Sequence, residues 1–244
     1  MSRGQVNPAS GLSKFVLLKV FSMFYNPFAI LIFLLFLLGL IFLFALIHVG
    51  IMTIAFEKIG FGPWQVFVFL LASLLGSHIN IPVKRIKNKI VNIPSKVRSF
   101  GITYRIHASS FPGTVVTVNL GGALVPLFLS VYLMLKWRIF FDPLIGIAII
   151  AALTYWMARP VPGLGIALPM FIPPFLAALL AILISAEDHA PVVAYISGTL
   201  GTLIGADLLH YKDIEQINAP VVSIGGAGTF DGIFLTGIIA VLLA

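Results

Sequence analysis

Cysteine is absent. That removes thiol nucleophiles, thiolate metal sites and disulfide staples. Charge is scarce: 9% of the 244 residues are Asp, Glu, Lys or Arg, where soluble proteins carry about 25%. Carboxylates are the scarcest, 8 against 15 Lys and Arg, which leaves a net charge of +7. No His-Glu-x-x-His, phosphate-binding Gly-rich loop or Gly-x-Ser-x-Gly occurs. No metal site or cofactor is therefore expected. What fills the chain is apolar, at 60% hydrophobic residues. A folded soluble surface needs polar cover and cannot hide that much. These deficits exclude a soluble enzyme, a disordered chain and a small secreted module. They predict an all-α fold class: a polytopic membrane helical bundle.

A spanning helix needs about 20 apolar residues. Seven segments are candidates: Phe28–Ile47, Trp64–Ile81, Gly113–Leu135, Ile139–Met157, Leu164–Ser185, Pro191–Leu209 and Val221–Ala244. The first is too long for a signal-peptide core and reads as a retained anchor. Arg159-Pro160-Val161-Pro162-Gly163 reads as a tight turn between the fourth and fifth. Pro169, Pro173 and Pro174 predict a kink or break in the fifth, and Pro126 a kink in the third.

Residues 1–26 precede this membrane domain of 27–244. Leu12, Phe15, Val16, Leu18, Phe21 and Phe24 alternate there with Lys14, Lys19 and Ser22, the pattern of an interfacial amphipathic helix. The connection 82–112 is basic: Lys84, Arg85, Lys87, Lys89, Lys96, Arg98 and Arg105. With Arg3, Lys14, Lys19, Arg159 and Lys212 these fall on one side. Only Lys58, Lys136 and Arg138 fall on the other. The imbalance puts the N-terminus and the 82–112 loop in the cytoplasm and the C-terminus outside a cell membrane. The loop's expected partner is anionic inner-leaflet lipid rather than nucleic acid. Two alternating runs, Ile79–Ile86 and Gly101–Ile106, are expected to pair as a small cytoplasmic β-hairpin within 79–106.

Two blocks echo each other. Leu74-Leu75-Gly76-Ser77-His78 resembles Leu203-Ile204-Gly205-Ala206-Asp207. Val118-Asn119-Leu120-Gly121-Gly122-Ala123 resembles Val222-Ser223-Ile224-Gly225-Gly226-Ala227. The order suggests a 3+1+3 parallel repeat: about 28–135, a linker helix 139–157, and about 164–244. Gly121, Gly122, Gly225, Gly226 and Gly228 are the expected helix-break glycines.

Against this apolar background Asp207 and Asp231 stand out, because a carboxylate at a helix centre costs roughly 2.5–3.5 kcal/mol on insertion scales. Such residues usually face a bundle interior and mark function. They fall on consecutive, expectedly antiparallel segments at similar depth. Two carboxyls brought together in low dielectric cannot both ionise, so one serves as base and the other as acid. His78, Asn80, Asn119, His210 and Thr229 complete the candidate set as substrate-binding or relay groups. Asp207 and His210, three apart, carry only a weak metal signal. The competing reading is that the aspartates cap backbone N–H groups freed at the glycine breaks.

The paired aspartates resemble those of the intramembrane aspartyl proteases, the presenilin, signal-peptide-peptidase and prepilin-peptidase group. The second catalytic Asp of that group sits in Gly-x-Gly-Asp. Here the stretch is Gly226-Ala227-Gly228-Thr229-Phe230-Asp231-Gly232, with two residues between Gly228 and Asp231. The resemblance implies Asp207 and Asp231 as catalytic residues of an intramembrane hydrolase. The whole chain from residue 70 onward also resembles a family of uncharacterised archaeal and bacterial multi-pass membrane proteins. Gly205–His210, Ile224–Gly237 and Val118–Pro126 carry that likeness, which implies no activity. A proton-coupled transporter of a small solute or lipid precursor, built from the two repeats, is the alternative expectation.

Overall fold

The computed structural model describes residues 27–87, 96–99, 102–105, 113–162, 165–217, 219–226 and 232–244. Two units make up the chain, Met1–Ile51 and Met52–Ala244. Helix α1, Pro27–Lys58, runs 32 residues and supplies the described part of the first unit. Its run of Leu, Ile and Phe holds no internal proline, and Pro27 sits where a missing N–H costs nothing. The helix ends in a left-handed glycine, Gly60 at φ 84°. Phe61 N–H then donates back to Phe56 O at 3.0 Å and Gly60 N–H to Glu57 O at 2.9 Å, closing the last turn. Gly62 and Pro63 start α2, Pro63–Gly76, at once. The axis turns by 114° between Val49–Lys58 and α2.

The second unit is a helical bundle closed at one end by sheet. Its remaining helices are α3 (Val125–Trp137), α4 (Phe141–Met157), α5 (Ile172–Ile184), α6 (Ala190–Thr202), the short α7 (Ile214–Ile217) and α8 (Gly232–Leu243). α6 is the central element: Ala190 and every residue from Val192 to Thr202 are buried. A helix apolar all round must be enclosed by others. The core joins Tyr195, Ile196 and Leu200 of α6 to Phe56, Phe69, Leu133, Phe234 and Ile238. A second cluster packs Val193 and Ala194 against Ile150, Ala177, Ala181 and Ala240.

At one end of the bundle Lys58 Nζ donates to Val241 O at 3.4 Å and Leu242 O at 3.2 Å. Trp137 Nε1 donates to Ile59 O at 3.2 Å. The Trp137 ring also meets His189 edge-on at 5.7 Å. The other end carries a three-stranded sheet in the order β1-β4-β7. Its strands are Asn80–Lys87 (β1), Gly113–Asn119 (β4) and Val221–Ile224 (β7). β1 pairs antiparallel with β4, Asn80 opposite Asn119, with an irregularity between Pro82 and Lys84. Pro82 can offer no N–H to the ladder, and an edge strand tolerates that. β4 pairs in parallel with β7, from Val115 opposite Val221 to Val118 opposite Ile224. Val116, Ile214, Ile217 and Ala219 form the small core beneath this sheet. Two further hairpins pair Lys96–Ser99 (β2) with Ile102–Arg105 (β3), and Arg159–Val161 (β5) with Gly165–Ala167 (β6).

Four expectations are corrected. The seven spans are not found. Among the described residues two helical stretches are long and apolar enough to cross a membrane, Leu120–Trp137 and Glu187–Asp213. A third counts if the bent pair Val49–Lys58 and Pro63–Gly76 is one span. The apolar helices α4, α5 and α8 are shorter than a span: α8 has 12 residues, about 18 Å at ~1.5 Å per residue, against a hydrocarbon core of about 30 Å. These helices are consistent with a membrane location. Second, the fold is mostly helical rather than all-α. Third, Ile79–Ile86 does not pair with Gly101–Ile106; β1 takes β4 as its partner, and the Ile102–Arg105 segment takes Lys96–Ser99. Fourth, the apolar runs from Gly113 and Val221 open as strands, and the run expected over 164–185 holds β6 before its helix. Pro173 and Pro174 then act as helix starters at the head of α5 rather than as kinks inside it. Pro126 likewise lies in the first turn of α3. The expected amphipathic helix before residue 27 lies outside the described residues.

Candidate functional site

Two widened turns lie at the sheet end of the bundle. β4 passes into a π-turn, Leu120–Leu124, that continues as α3. Pro126 supplies no N–H, so the i to i−4 ladder cannot run through it. α6 passes into a second π-turn, Leu203–Leu208, where Leu209 N–H reaches Ile204 O, five residues back, at 2.9 Å. Wide turns of this kind concentrate at functional sites. The second one carries Asp207.

Asn119 organises the first turn. Its Oδ1 accepts Gly122 N–H at 2.8 Å, capping the turn. Its Nδ2 donates to Ser77 O at 2.7 Å and to Asn80 Oδ1 at 3.1 Å. Ser223 Oγ of β7 also donates to Asn80 Oδ1, at 2.6 Å. One amide thus ties the end of α2, β1 and the π-turn together. The site's glycines are there because nothing larger fits. A Cβ on Gly121 would run into the Ser73 carbonyl oxygen and the Ser77 nitrogen. Gly225 sits at φ 72°, and a Cβ on it would come 2.7 Å from Ala123 N. Gly226 lies against Ser223 and Asn119 in the same way.

Asp207 joins this cluster from the other side. Its Oδ2 accepts Gly225 N–H at 2.7 Å, and the residue is half-buried. A bond from an N–H to a charged oxygen is the stronger kind, worth about 1.5–3 kcal/mol. Four residues before Asp207, Leu203 packs with Ala123 and Ile233. Gly225 and Ile233 lie on either side of Asp231 in the chain, and both meet the turn that carries Asp207.

Of the residues singled out from sequence, the structure brings together Asn80, Asn119, Gly121, Gly122, Asp207, Gly225 and Gly226. Asp231, Thr229 and Gly228 lie outside the described residues. Two are placed elsewhere. His78 is exposed, and its Nδ1 lies 3.1 Å from Leu74 O in the last turn of α2. His210 is buried with Nδ1 3.1 Å from Gly205 O, and its ring lies 4.7 Å from that of Tyr155. Among the described residues no three His, Asp or Glu are grouped to hold a metal ion. Sequence reasoning missed Ser73, whose buried Oγ donates to Gly121 O at 2.9 Å, and the bridging role of Ser223. The signal for Ser73 was one hydroxyl in the apolar run Leu70–Leu75, three residues before Gly76.

Fold and site together define a helical protein with membrane-length apolar helices, capped by a sheet whose parallel strands deliver a carboxylate-clamped glycine break. The chain belongs to the family described as protein of unknown function DUF1614, which matches residues 74–243. No curated protein and no solved structure matches it.

Proposed function

We propose that this chain is a membrane-embedded aspartyl hydrolase in which Asp207 and Asp231 share one proton. One observation carries the reading: both flanks of the segment holding Asp231 rest against the turn holding Asp207. Gly225 N–H is bound by Asp207 Oδ2 at 2.7 Å, and Ile233 packs with Leu203. The ionised carboxylate takes a proton from water as that water attacks a substrate carbonyl carbon. The protonated partner gives its proton to the carbonyl oxygen. The tetrahedral diol then breaks its bond to the leaving amine, which takes a proton from a carboxyl group. β7 supports a polypeptide substrate. It is an edge strand of its sheet, and such an edge offers backbone donors and acceptors to an extended chain. The bundle lies in the cell membrane with the sheet end cytoplasmic, and the basic strand β1 faces anionic lipid.

The test is cleavage of a reporter helix by the protein reconstituted in liposomes. Cleavage is lost in Asp207→Asn and in Asp231→Asn. Full activity in either variant ends the proposal. The side-by-side breaks at Gly121-Gly122 and Gly225-Gly226 favour a second reading, proton-coupled transport of a small solute across a pseudo-repeat. Proton-dependent flux without reporter cleavage selects it.

A further inference from the structure

Among the described residues, five buried hydroxyls in the bundle have protein partners: Ser73 bonds Gly121 O, and four take the carbonyl four residues back. Ser130 takes Pro126 O at 2.9 Å, Thr154 takes Ile150 O at 2.8 Å, Ser197 takes Val193 O at 2.6 Å and Thr236 takes Gly232 O at 2.6 Å. Three hydroxyls on α6 break this pattern. Tyr195 Oη, Thr199 Oγ1 and Thr202 Oγ1 are buried with no hydrogen-bond partner among the described residues. Tyr195, Thr199 and Thr202 are 1%, 0% and 2% exposed. The Tyr195 hydroxyl lies near that of Thr199, but not in bonding geometry. Steps of four and then three place the three residues on one face of the helix.

That face meets a notch in α8. A Cβ on Gly237 would run into Thr199 Oγ1 and come 2.9 Å from Tyr195 Cε2. The glycine lets α8 pack close to Thr199 and Tyr195 without bonding either hydroxyl. The π-turn then extends the face. In an α-helix, residues five apart point in different directions. In a turn bonded i to i+5, they come one above the other. Leu203–Leu208 is such a turn. It brings Asp207, five residues after Thr202, toward the hydroxyl face.

We propose that Tyr195, Thr199 and Thr202 line an internal water site that leads along α6 to Asp207. The site is neutral, and water both gives and takes hydrogen bonds, so water suits it better than a bare cation does. Buried polar groups that lack protein partners are where internal waters settle. The water site stands without the hydrolase reading. Its role, supplying the attacking water from inside the bundle, rests on that reading.

Radiolytic footprinting in lipid nanodiscs tests it, because water split by X-rays labels the side chain beside it. Tyr195 becomes labelled despite its burial, while Phe234 in the same core stays silent. Thr199→Val with Thr202→Val abolishes the Tyr195 label; Thr199→Ser with Thr202→Ser keeps it. Unfolding temperature confirms that each variant is folded, and Thr202→Val alone carries the reading if the double variant is not. A Tyr195 as silent as Phe234, or a label undiminished by valine, overturns the water site. In the cleavage assay the valine variant lowers kcat at unchanged KM. A lost label with kcat intact leaves the site standing and removes the supply role. Cleavage that survives Asp207→Asn removes the hydrolase reading and leaves the label to decide the water site.

Discussion

Replacing Asp207 by asparagine and by alanine separates the cap its carboxylate forms from the proton transfer proposed for it. As an acceptor it holds Gly225 N–H at 2.7 Å from a half-buried position. Alanine removes the acceptor and leaves that N–H facing a void, a loss of about 1.5–3 kcal/mol. For a chain of this size each kcal/mol moves the unfolding midpoint by roughly 2–4 °C. Asparagine keeps an oxygen in the same place and gives up only the charge, so about 1 kcal/mol or less is lost. Proton transfer follows a different rule. Neither amide nor methyl can exchange a proton with water, so both variants lose the roughly 10²–10⁴-fold that general acid–base catalysis contributes. The assay pairs thermal unfolding in nanodiscs with reporter cleavage. The expected signature is a near-native midpoint with little activity for asparagine, and loss of both for alanine. An asparagine variant as active as the parent refutes the catalytic role and leaves only the cap.

Gly225→Ala strains a left-handed backbone at φ 72° and drives a Cβ into Ala123. A loss of about 1–3 kcal/mol is expected, read as a lower denaturation midpoint. Asn119→Ala releases Gly122 N–H, Ser77 O and Asn80 Oδ1 together. It costs at least the ~0.5–2 kcal/mol of an ordinary cap, and hydrogen exchange at Gly122 accelerates. Lys58→Met frees the carbonyls of Val241 and Leu242 at the opposite end. It lowers stability by about 0.3–1 kcal/mol, as for a cation at a helix C-terminus, and leaves cleavage unchanged.

The helix-rich, apolar character was legible because composition alone demands it; the paired glycines drew notice as helix breaks, but Gly121-Gly122 and Gly225-Gly226 sit where strands β4 and β7 end. The strand openings were readable but passed over. Thr114-Val115-Val116-Thr117-Val118 is a run of β-branched residues, the kind that prefers a pleated backbone. A hydropathy count scores it as the start of a span all the same. The seven-span expectation failed for that reason: hydropathy measures how apolar a segment is, not which backbone it adopts. His78 was misplaced by the same error. α2 ends at Gly76, so His78 lies in the exposed turn beyond it rather than on a helix inside the bundle. The three unpartnered hydroxyls could not be read at all. A threonine four residues after a potential acceptor carries no mark in the sequence of whether it takes that acceptor.

The likeness of the two Gly-Gly blocks has a physical cause that requires no common ancestry of the segments. β4 and β7 run side by side in parallel. Each therefore turns toward the helices at the same edge of the sheet, and the two turns press on each other. The Cβ positions of Gly225 and Gly226 fall against Ala123 and Asn119. That of Gly121 falls against the last turn of α2. Two adjacent passages from strand to helix, each hemmed in by backbone, admit only residues without side chains. They differ in what completes them. Asn119 caps the first turn from within its own strand, while the second depends on Asp207, supplied by another helix. A neutral amide would satisfy Gly225 N–H as well as Asn119 satisfies Gly122. The costlier carboxylate at the second break therefore calls for a use beyond capping, and proton transfer is a use that an amide cannot perform.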